Sequence, residues 1–474
     1  MQSGGIYEVN VDTLALKKIV DLDYHGISAT EVQSFSFIND AFYLVIKDFS
    51  EKKATTKIAK ISDVQNIQTK AVIKVFCTDN GADDLTSIEL LKSYNEQSSE
   101  YTAELVENNG PFDAVFLQEE KPDVIYFYNQ DTAMRYIKDG FCDNLVSFID
   151  ESNELSIDEM NSKVFQVFGK GDKLYAVPTA ISAKSILVPA RTRIGNNGWT
   201  VSEYLSWLTE NPDACALGGM TKQKILEDCL YGVLEEFIDK NNASVSFDTD
   251  EFVQILKRIH NLPQMHNEES IYISTALAGK YDYKSMKYLK REIVQSVFEL
   301  AQKECCLGDD FVYVGYPNSE KERIARVECN SIFSIFSEAE NKHGAYDFIE
   351  FALKYQYIRT VENWEGTSSG KMWAINSFAE RDLAKAIGEF DIVSSGKGAY
   401  SSDLEFKINS TENDVGIFCE VINNSKPLYS YEKKIIDIIL EETEPFFDGQ
   451  KTVEEVCSVI QSRSMIVIQE NVNY

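Results

Sequence analysis

The sequence predicts an α/β protein that follows a short antiparallel β segment. Three patterns support this: short alternating strands over 1–70, apolar β-branched runs spaced by helical patterns from 71, and repeated helix-capping signals further on. A chain of 474 residues is too long for one ordinary core, so two or three domains are expected.

Within 1–70, IYEVNVD alternates apolar and polar residues, Asp12 and Thr13 begin a turn, and KKIVDLD returns. SFSFIND, AFYLVIKDF and TKIAKIS follow, separated by Asn39-Asp40 and by EKKATT. Four or five strands at this spacing predict one antiparallel sheet resembling a β-propeller blade. From 71 the pattern changes. AVIKVF and PDVIYFYN read as parallel strands buried on both faces. Between them, Leu85, Ile88, Leu91 and Tyr94 recur every three residues, a helix, and YTAELVEN forms another strand. Strand–helix–strand alternation predicts a parallel sheet with crossover helices.

The later chain is richer in helix. Thr200 with Glu203, Asp248 with Glu251, and Thr452 with Glu455 each place a capping side chain three residues before a carboxylate. Helical apolar spacing also marks Ala345, Phe348, Ile349 and Ala352, and then Ile435, Ile436, Ile439 and Leu440.

Asp and Glu total 76 against 46 Lys and Arg, a net charge of -30, which repels nucleic acid and anionic membrane as primary partners. The nine cysteines show no CxxC pair and no metal-ligand spacing, so free buried thiols are expected, with no metal site and no cofactor. The first residues, MQSGGIYEVNVD, lack the basic and apolar regions of a signal peptide. His25, His260, His266 and His343 form no HExxH pair, and no GxSxG, Walker A or GxGxxG pattern occurs. Asp83-Asp84 and Glu235-Glu236 are adjacent carboxylates, which on a helix diverge. Many carboxylates exist, yet none is singled out as a hydrolytic pair, so a binding protein is expected ahead of an enzyme.

The aromatics say more. Trp199 follows Gly195-Asn196-Asn197-Gly198, Trp364 and Trp373 flank the polar EGTSSGK segment, and Trp207 sits within a helical apolar pattern. A sugar offers an apolar C–H face and a rim of hydroxyls, which suits flat aromatic platforms beside Asp, Asn and Glu. Each loop tryptophan suits a contact between domains equally well, and both roles stay open.

In order along the chain, several segments resemble extracellular solute-binding proteins of the carbohydrate ABC-importer class. They are KVFCTDNGADDLTSIELLKSYNEQSSEYTAELV, PDVIYFYN with GFCDNLVSFID, GKGDKLYAVPTAIS, GWTVSEYLSWL, FDTDEFVQILKRIHNLP, VGYPNSE with SIFSIFSEAENKHGAYDFIEFAL, and EPFFDGQKTVEEVCSVIQSR. The resemblance spans about 71–463. It departs from the family at MWAINSFA, where Ala374 replaces the usual proline, and no lipid-anchoring cysteine matches, because Cys77 lies within a strand run. The β segment resembles the tail of a propeller-like extension found in some long members from gut bacteria.

The resemblance implies a two-lobed periplasmic-binding-protein type II fold, with residues 1–70 as the β segment. Lobe 1 is expected over 71–178 and 311–363, and a helix-rich lobe 2 over 179–310 and 364–474. It implies capture of a sugar or oligosaccharide for delivery to an ABC permease. The setting implied is extracellular and surface-associated, and the protein monomeric, without a cofactor. A peptide, a polyamine or another polar solute on the same fold is the alternative, as is a surface interaction protein that has lost transport.

In open parallel sheets, ligands bind beyond the carboxyl ends of the strands. That rule selects Asp79 and Asn80 as hydroxyl acceptors, with Tyr128 and Asn129 on the same lobe; Trp199, Trp364 and Trp373 are the candidate platforms from the other lobe or hinge. Asp79 serves equally as a cap for the following helix. Hinges are expected at Pro178 and Ser182, at Gly315 and Pro317, and before Trp373.

Overall fold

A computed structural model of the chain describes residues 5–9, 16–22, 27, 32–39, 41–48, 55–61, 70–78, 85–106, 121–192, 198–212, 215–216, 220–263, 288–307, 310–361, 370–394 and 404–471. In chain order, β1 (Gly5–Val9), β2 (Leu16–Asp21), β3 (Val32–Ile38), β4 (Ala41–Asp48) and β5 (Thr55–Ile61) precede β6 (Ala71–Cys77), α1 (Leu85–Gln97), β7 (Tyr101–Leu105), β8 (Val124–Asn129), α2 (Gln130–Lys138) and α3 (Val146–Glu151). Then come α4 (Ser162–Phe168), β9 (Gly169–Lys170), β10 (Lys173–Leu174), β11 (Val177–Pro189), α5 (Val201–Glu210), β12 (Cys215–Ala216), α6 (Lys222–Val233), β13 (Ile238–Asp239), β14 (Ser244–Val245) and α7 (Asp250–His260). After these lie β15 (Tyr288–Val294), α8 (Val297–Leu307), β16 (Phe311–Tyr313), β17 (Ala325–Ile335), α9 (Lys342–Val361), β18 (Met372–Trp373) and α10 (Asn376–Lys385). The last elements are β19 (Gly388–Ser394), β20 (Leu404–Ser410), α11 (Glu412–Asn423), β21 (Ser425–Lys426), α12 (Ser430–Phe447) and α13 (Val453–Asn471).

The chain divides into two compact units. The first holds Met1–Ile157, Lys170–Val177 and Ser331–Gln356; the second holds Asp158–Gly169, Pro178–Asn330 and Tyr357–Tyr474. The division departs from the expected boundaries. Residues 311–330 belong with the second unit because Val314 and Tyr316 are fully buried in its core cluster.

In the first unit, β6 pairs parallel with β7 on one side and β8 on the other. β8 reads as a core strand because Val124, Ile125, Tyr126 and Phe127 are all buried. β6 is buried only from Ile73 onward; Val72 is 42% exposed, against the expectation of a strand covered throughout. Helix α1 lays Leu90, Leu91 and Tyr94 against the core, and the Tyr94 hydroxyl donates to Asp347 at 2.6 Å. The N-terminal strands make two sheets, not the one expected: a β1–β2 hairpin and a β3–β4–β5 meander. Phe42, Leu44 and Ile46 of β4 alternate inward and pack with Ile6, Val20 and Leu22, so a hairpin covers part of the meander's inner face.

In the second unit, β11 pairs antiparallel with β15, β16 and β18. Helices α5, α6, α7, α12 and α13 supply Tyr204, Leu205, Ile225, Leu230, Phe252, Leu256, Ile435, Ile439 and Ile460 to one large apolar cluster. Thr200 and Glu203 form a reciprocal capping box on α5, as do Thr452 and Glu455 ahead of α13. Helix α7 starts later than expected: Thr249, not Asp248, is its N-cap. No described helix is long and apolar enough to cross a membrane.

Candidate functional site

Two polar faces stand out, one on each unit. On the first unit, Cys77 of β6 lies opposite Tyr126 of β8, so both strands end at the same edge. Thr78 continues from β6 fully buried; its N–H donates to the Tyr126 carbonyl at 2.9 Å and its hydroxyl oxygen accepts the Tyr128 N–H at 3.3 Å. These bonds fix the backbone where β8 gives way to α2. The Tyr128 ring is left 55% exposed at that edge. Asn129 is the N-cap of α2, its Oδ1 accepting the Thr132 N–H at 3.0 Å, as the missing first-turn partners of a helix require. Gln130 is buried, and its Oε1 has no hydrogen-bond donor in the structure. Thr78, Tyr128 and Asn129 therefore make a neutral edge with one exposed ring beside a helix N-terminus, with Gln130 buried beneath it.

On the second unit the face is charged. Lys184 of β11 lies 4.9 Å from the Tyr231 ring centroid, and its Nζ donates to the Tyr231 hydroxyl at 3.2 Å. That hydroxyl donates to Glu227 Oε1 at 2.6 Å, and Lys184 is 3.8 Å from the same carboxylate. Glu328 of β17 completes the group. Burial, and then the charge of Glu227, raise its carboxyl above the usual range, while Lys184 pulls it down. Burial also raises Asp437 on α12, opposed by Lys433. Tyr231 is held from behind: Arg326, itself buried, donates Nε to the Tyr231 carbonyl at 2.8 Å and Nη1 to Pro427 at 3.2 Å. The next residue, Gly232, lies so close to Pro317 that a Cβ would meet its carbonyl oxygen at 1.9 Å.

Several expected site residues have other places. Trp199 is a core residue, 3% exposed, with Nε1 donating to the Gly315 carbonyl at 2.9 Å and its ring 4.8 Å from Tyr204. Trp373 is equally covered; its Nε1 donates to buried Asp382 at 2.8 Å and Tyr357 packs edge-on against it. Neither offers a ring face to a ligand, because each indole N–H found its partner inside the protein. Trp207 is partly buried against the same cluster as Trp199. Asp79, Asn80 and Trp364 lie outside the described residues.

Of the hinge candidates, Gly315 and Pro317 lie inside the second unit, not at its boundary. Gly315 adopts φ +83 with Ile324 close behind it, and Pro317 abuts α6, so both are fixed by packing. Pro178 is the first residue of the second unit on β11, and the Ser182 hydroxyl donates to the Glu328 carbonyl at 2.8 Å. Trp373 likewise pairs with Ala180 within that unit. Ala374, where the family has proline, is buried, and its N–H donates to Thr179 at 3.1 Å, a bond that proline would forfeit.

Lys184, Glu227, Tyr231 and Glu328 were not anticipated from the sequence. No motif joins them, since they come from two strands and a helix; the EDCLYG run was the one local hint, an acidic and an aromatic residue four apart on a helix. Among the described residues no group of His, Cys, Asp and Glu could hold a metal ion.

Solved structures of low sequence identity share this architecture. An ABC substrate-binding protein from Listeria monocytogenes, solved with cycloalternan, matches with a TM-score of 0.53 at 14% identity, over 85% of this chain and 100% of that one. The sugar-binding protein MalE from Xanthomonas citri matches with a TM-score of 0.57 at 12% identity, over 84% and 98%. This is the fold of the sugar-binding ABC substrate-binding proteins. The GacH receptor of Streptomyces glaucescens, studied unliganded and with acarbose, has it too: TM-score 0.53, 13% identity, 85% and 99% coverage. No family model and no curated protein matches the chain. The substrate-binding-protein fold expected from the ordered sequence segments is thus present, at identities where the fold is what is shared.

Proposed function

We propose that the protein captures a sugar or oligosaccharide and presents it to an ABC permease outside the cytoplasm, without catalysing a reaction on it. The observation that carries this reading is the exposed Tyr128 ring, set beside the N-terminus of α2 on a fold whose solved examples include proteins described with cycloalternan and with acarbose. A half-exposed aromatic ring beside a helix N-terminus suits a sugar's C–H face and hydroxyl rim. Asp79 and Asn80, next along from Thr78, are proposed to add acceptors at the same edge, and Pro178 and Ser182 to bend when ligand is captured. On the second unit, Glu227, Tyr231, Lys184 and Glu328 form a face with paired donors and acceptors of its own.

A second reading is favoured by that charged face. Two carboxylates around a single lysine also suit a polar solute with an amino group, such as a polyamine or a peptide.

Thermal-shift screening separates the two, because a ligand that binds only the folded state stabilises it by about 2.7 kcal/mol at a hundred times its Kd. The panel contains linear and cyclic glucans, other oligosaccharides, polyamines and dipeptides. Stabilisation by a glycan supports sugar capture. A response confined to polyamines or peptides overturns it.

A further inference from the structure

Within the second unit, Lys240 fills a place suited to the ammonium group of a ligand. It lies in the turn between β13 and β14. Its Nζ is 5.1 Å from the Tyr429 ring centroid, 5.6 Å from that of Tyr431 and 3.4 Å from Glu432 Oε1. The two rings are parallel to within 6°, with centroids 6.0 Å apart. Glu432 is fully buried; its Oε2 accepts the Tyr429 N–H at 2.9 Å and its Oε1 the Tyr431 hydroxyl at 3.0 Å. Glu235 adds negative charge near Tyr431. A buried carboxylate requires a cation beside it, and two aromatic rings attract that cation through their negative faces.

The receiving groups and the cation differ in how firmly they are held. Tyr429 is the N-cap of α12 and Glu432 lies in its first turn, and Ile435, Ile436 and Ile439 bury that helix in the core. The hairpin is fixed at its base by Phe237, Val245 and Phe247 in the same core, and by Gln461, which bonds to the Val245 carbonyl and the Phe247 N–H. The Asp239 carboxylate closes the tip by accepting the Asn241 and Asn242 N–H groups. Lys240 crosses from this fixed tip on a flexible four-carbon arm, and its side chain is 50% exposed. Rotamer changes along the arm are enough to withdraw it, with both backbones in place.

We propose that Tyr429, Tyr431 and Glu432 form a binding site for the primary ammonium group of an amine solute, with Lys240 as a tethered occupant that the amine displaces. A tethered ammonium competes at an effective concentration in the millimolar range, so the site fills only when the amine is abundant. It is separate from sugar capture and stands whether or not a glycan binds.

The test is thermal melting of the full chain in n-butylammonium chloride against an equal concentration of sodium chloride. The parent is compared with Lys240→Ala and with Lys240→Ala combined with Tyr429→Ala. In Lys240→Ala the amine is expected to raise the melting temperature by about 3 °C at ten times its Kd, and to half-saturate at a concentration on the order of tenfold lower than in the parent. The added Tyr429→Ala is expected to remove most of that gain. Equal responses in the parent and Lys240→Ala, or none in either, refute the site; an equal response would assign the amine to the Lys184–Glu227 face instead. Should Lys240→Ala not fold, Lys240→Gln, which keeps an arm without the charge, replaces it under the same criteria. Putrescine and Nα-acetyl-lysine amide, each run in place of butylammonium, distinguish a free diamine from a lysine side chain, and a tighter response to either in Lys240→Ala supports the site.

Discussion

The polar edge of the first unit is neutral and built mainly from one consecutive run, whereas the polar face of the second is charged and assembled from distant residues. Thr78 and the run Tyr128–Asn129–Gln130 lie where two parallel strands end and a helix begins. Lys184 and Glu328 come from separate strands, and Glu227 and Tyr231 from a helix packed on them. A neutral edge with an exposed ring imposes shape and stacking. A desolvated charged group imposes charge balance, so its behaviour depends on pH and on every member being present.

The largest effect that tests this contrast is at Trp199. Trp199→Ala is expected to destabilise the fold by about 3–5 kcal/mol, since it opens a cavity in the second unit's core and orphans the Gly315 carbonyl. Urea unfolding measures it. Unchanged stability with lost ligand binding would restore Trp199 as a platform.

Next comes Tyr231→Phe, which removes the hydroxyl joining Lys184 to Glu227 and is expected to cost about 1–3 kcal/mol in stability. Isothermal titration with whichever glycan stabilises the protein should also show weaker binding; a purely structural hydroxyl would leave the affinity alone.

Tyr128→Ala should do the reverse. Its ring is exposed, so the melting temperature is expected to stay within a degree or so while affinity falls by about 0.5–1.5 kcal/mol, the worth of an aromatic contact. Equal stability losses at Tyr128 and Tyr231 would erase the distinction between the two faces.

The last effect is on pH dependence. Burial and the neighbouring Asp414 push the Glu304 carboxyl up to about 8, and its Oε1 accepts the Phe311 N–H at 2.8 Å. A carboxyl with a raised folded-state pKa contributes stability below its ordinary range and loses it as pH rises toward the raised value. Melting temperature should therefore decline between about pH 5 and pH 8, and Glu304→Gln should flatten that decline. A parallel profile in the variant would assign the slope to other groups.

The same contrast explains what the sequence made legible. β8, the α5 capping box and the Tyr128–Asn129 edge depend on neighbours a few residues apart, so apolar runs, caps and the strand-end rule reach them. The sequence places the α7 start one residue early because Asp248 and Thr249 are both good caps and only the folded backbone chooses between them. Of the two roles open to Trp199, the sequence could not choose, because the partner that satisfies its indole N–H is Gly315, more than a hundred residues away. The charged face had no sequence signature at all, because strand pairing and helix packing brought its members together.

The N-terminal meander carries a consequence for handling the protein. Phe35 and Phe37 on β3 stand opposite Leu44 and Phe42, on the meander's inner face, yet both rings are more than half exposed. A strip of bare phenyl on an edge strand is sticky. At low ionic strength a net charge of -30 keeps molecules apart, but salt shortens that repulsion to about 8 Å near physiological strength. Concentrated stocks should therefore remain clear in dilute buffer and cloud as salt is added, the opposite of a protein held together by ion pairs, and Phe35→Ser with Phe37→Ser should abolish the clouding.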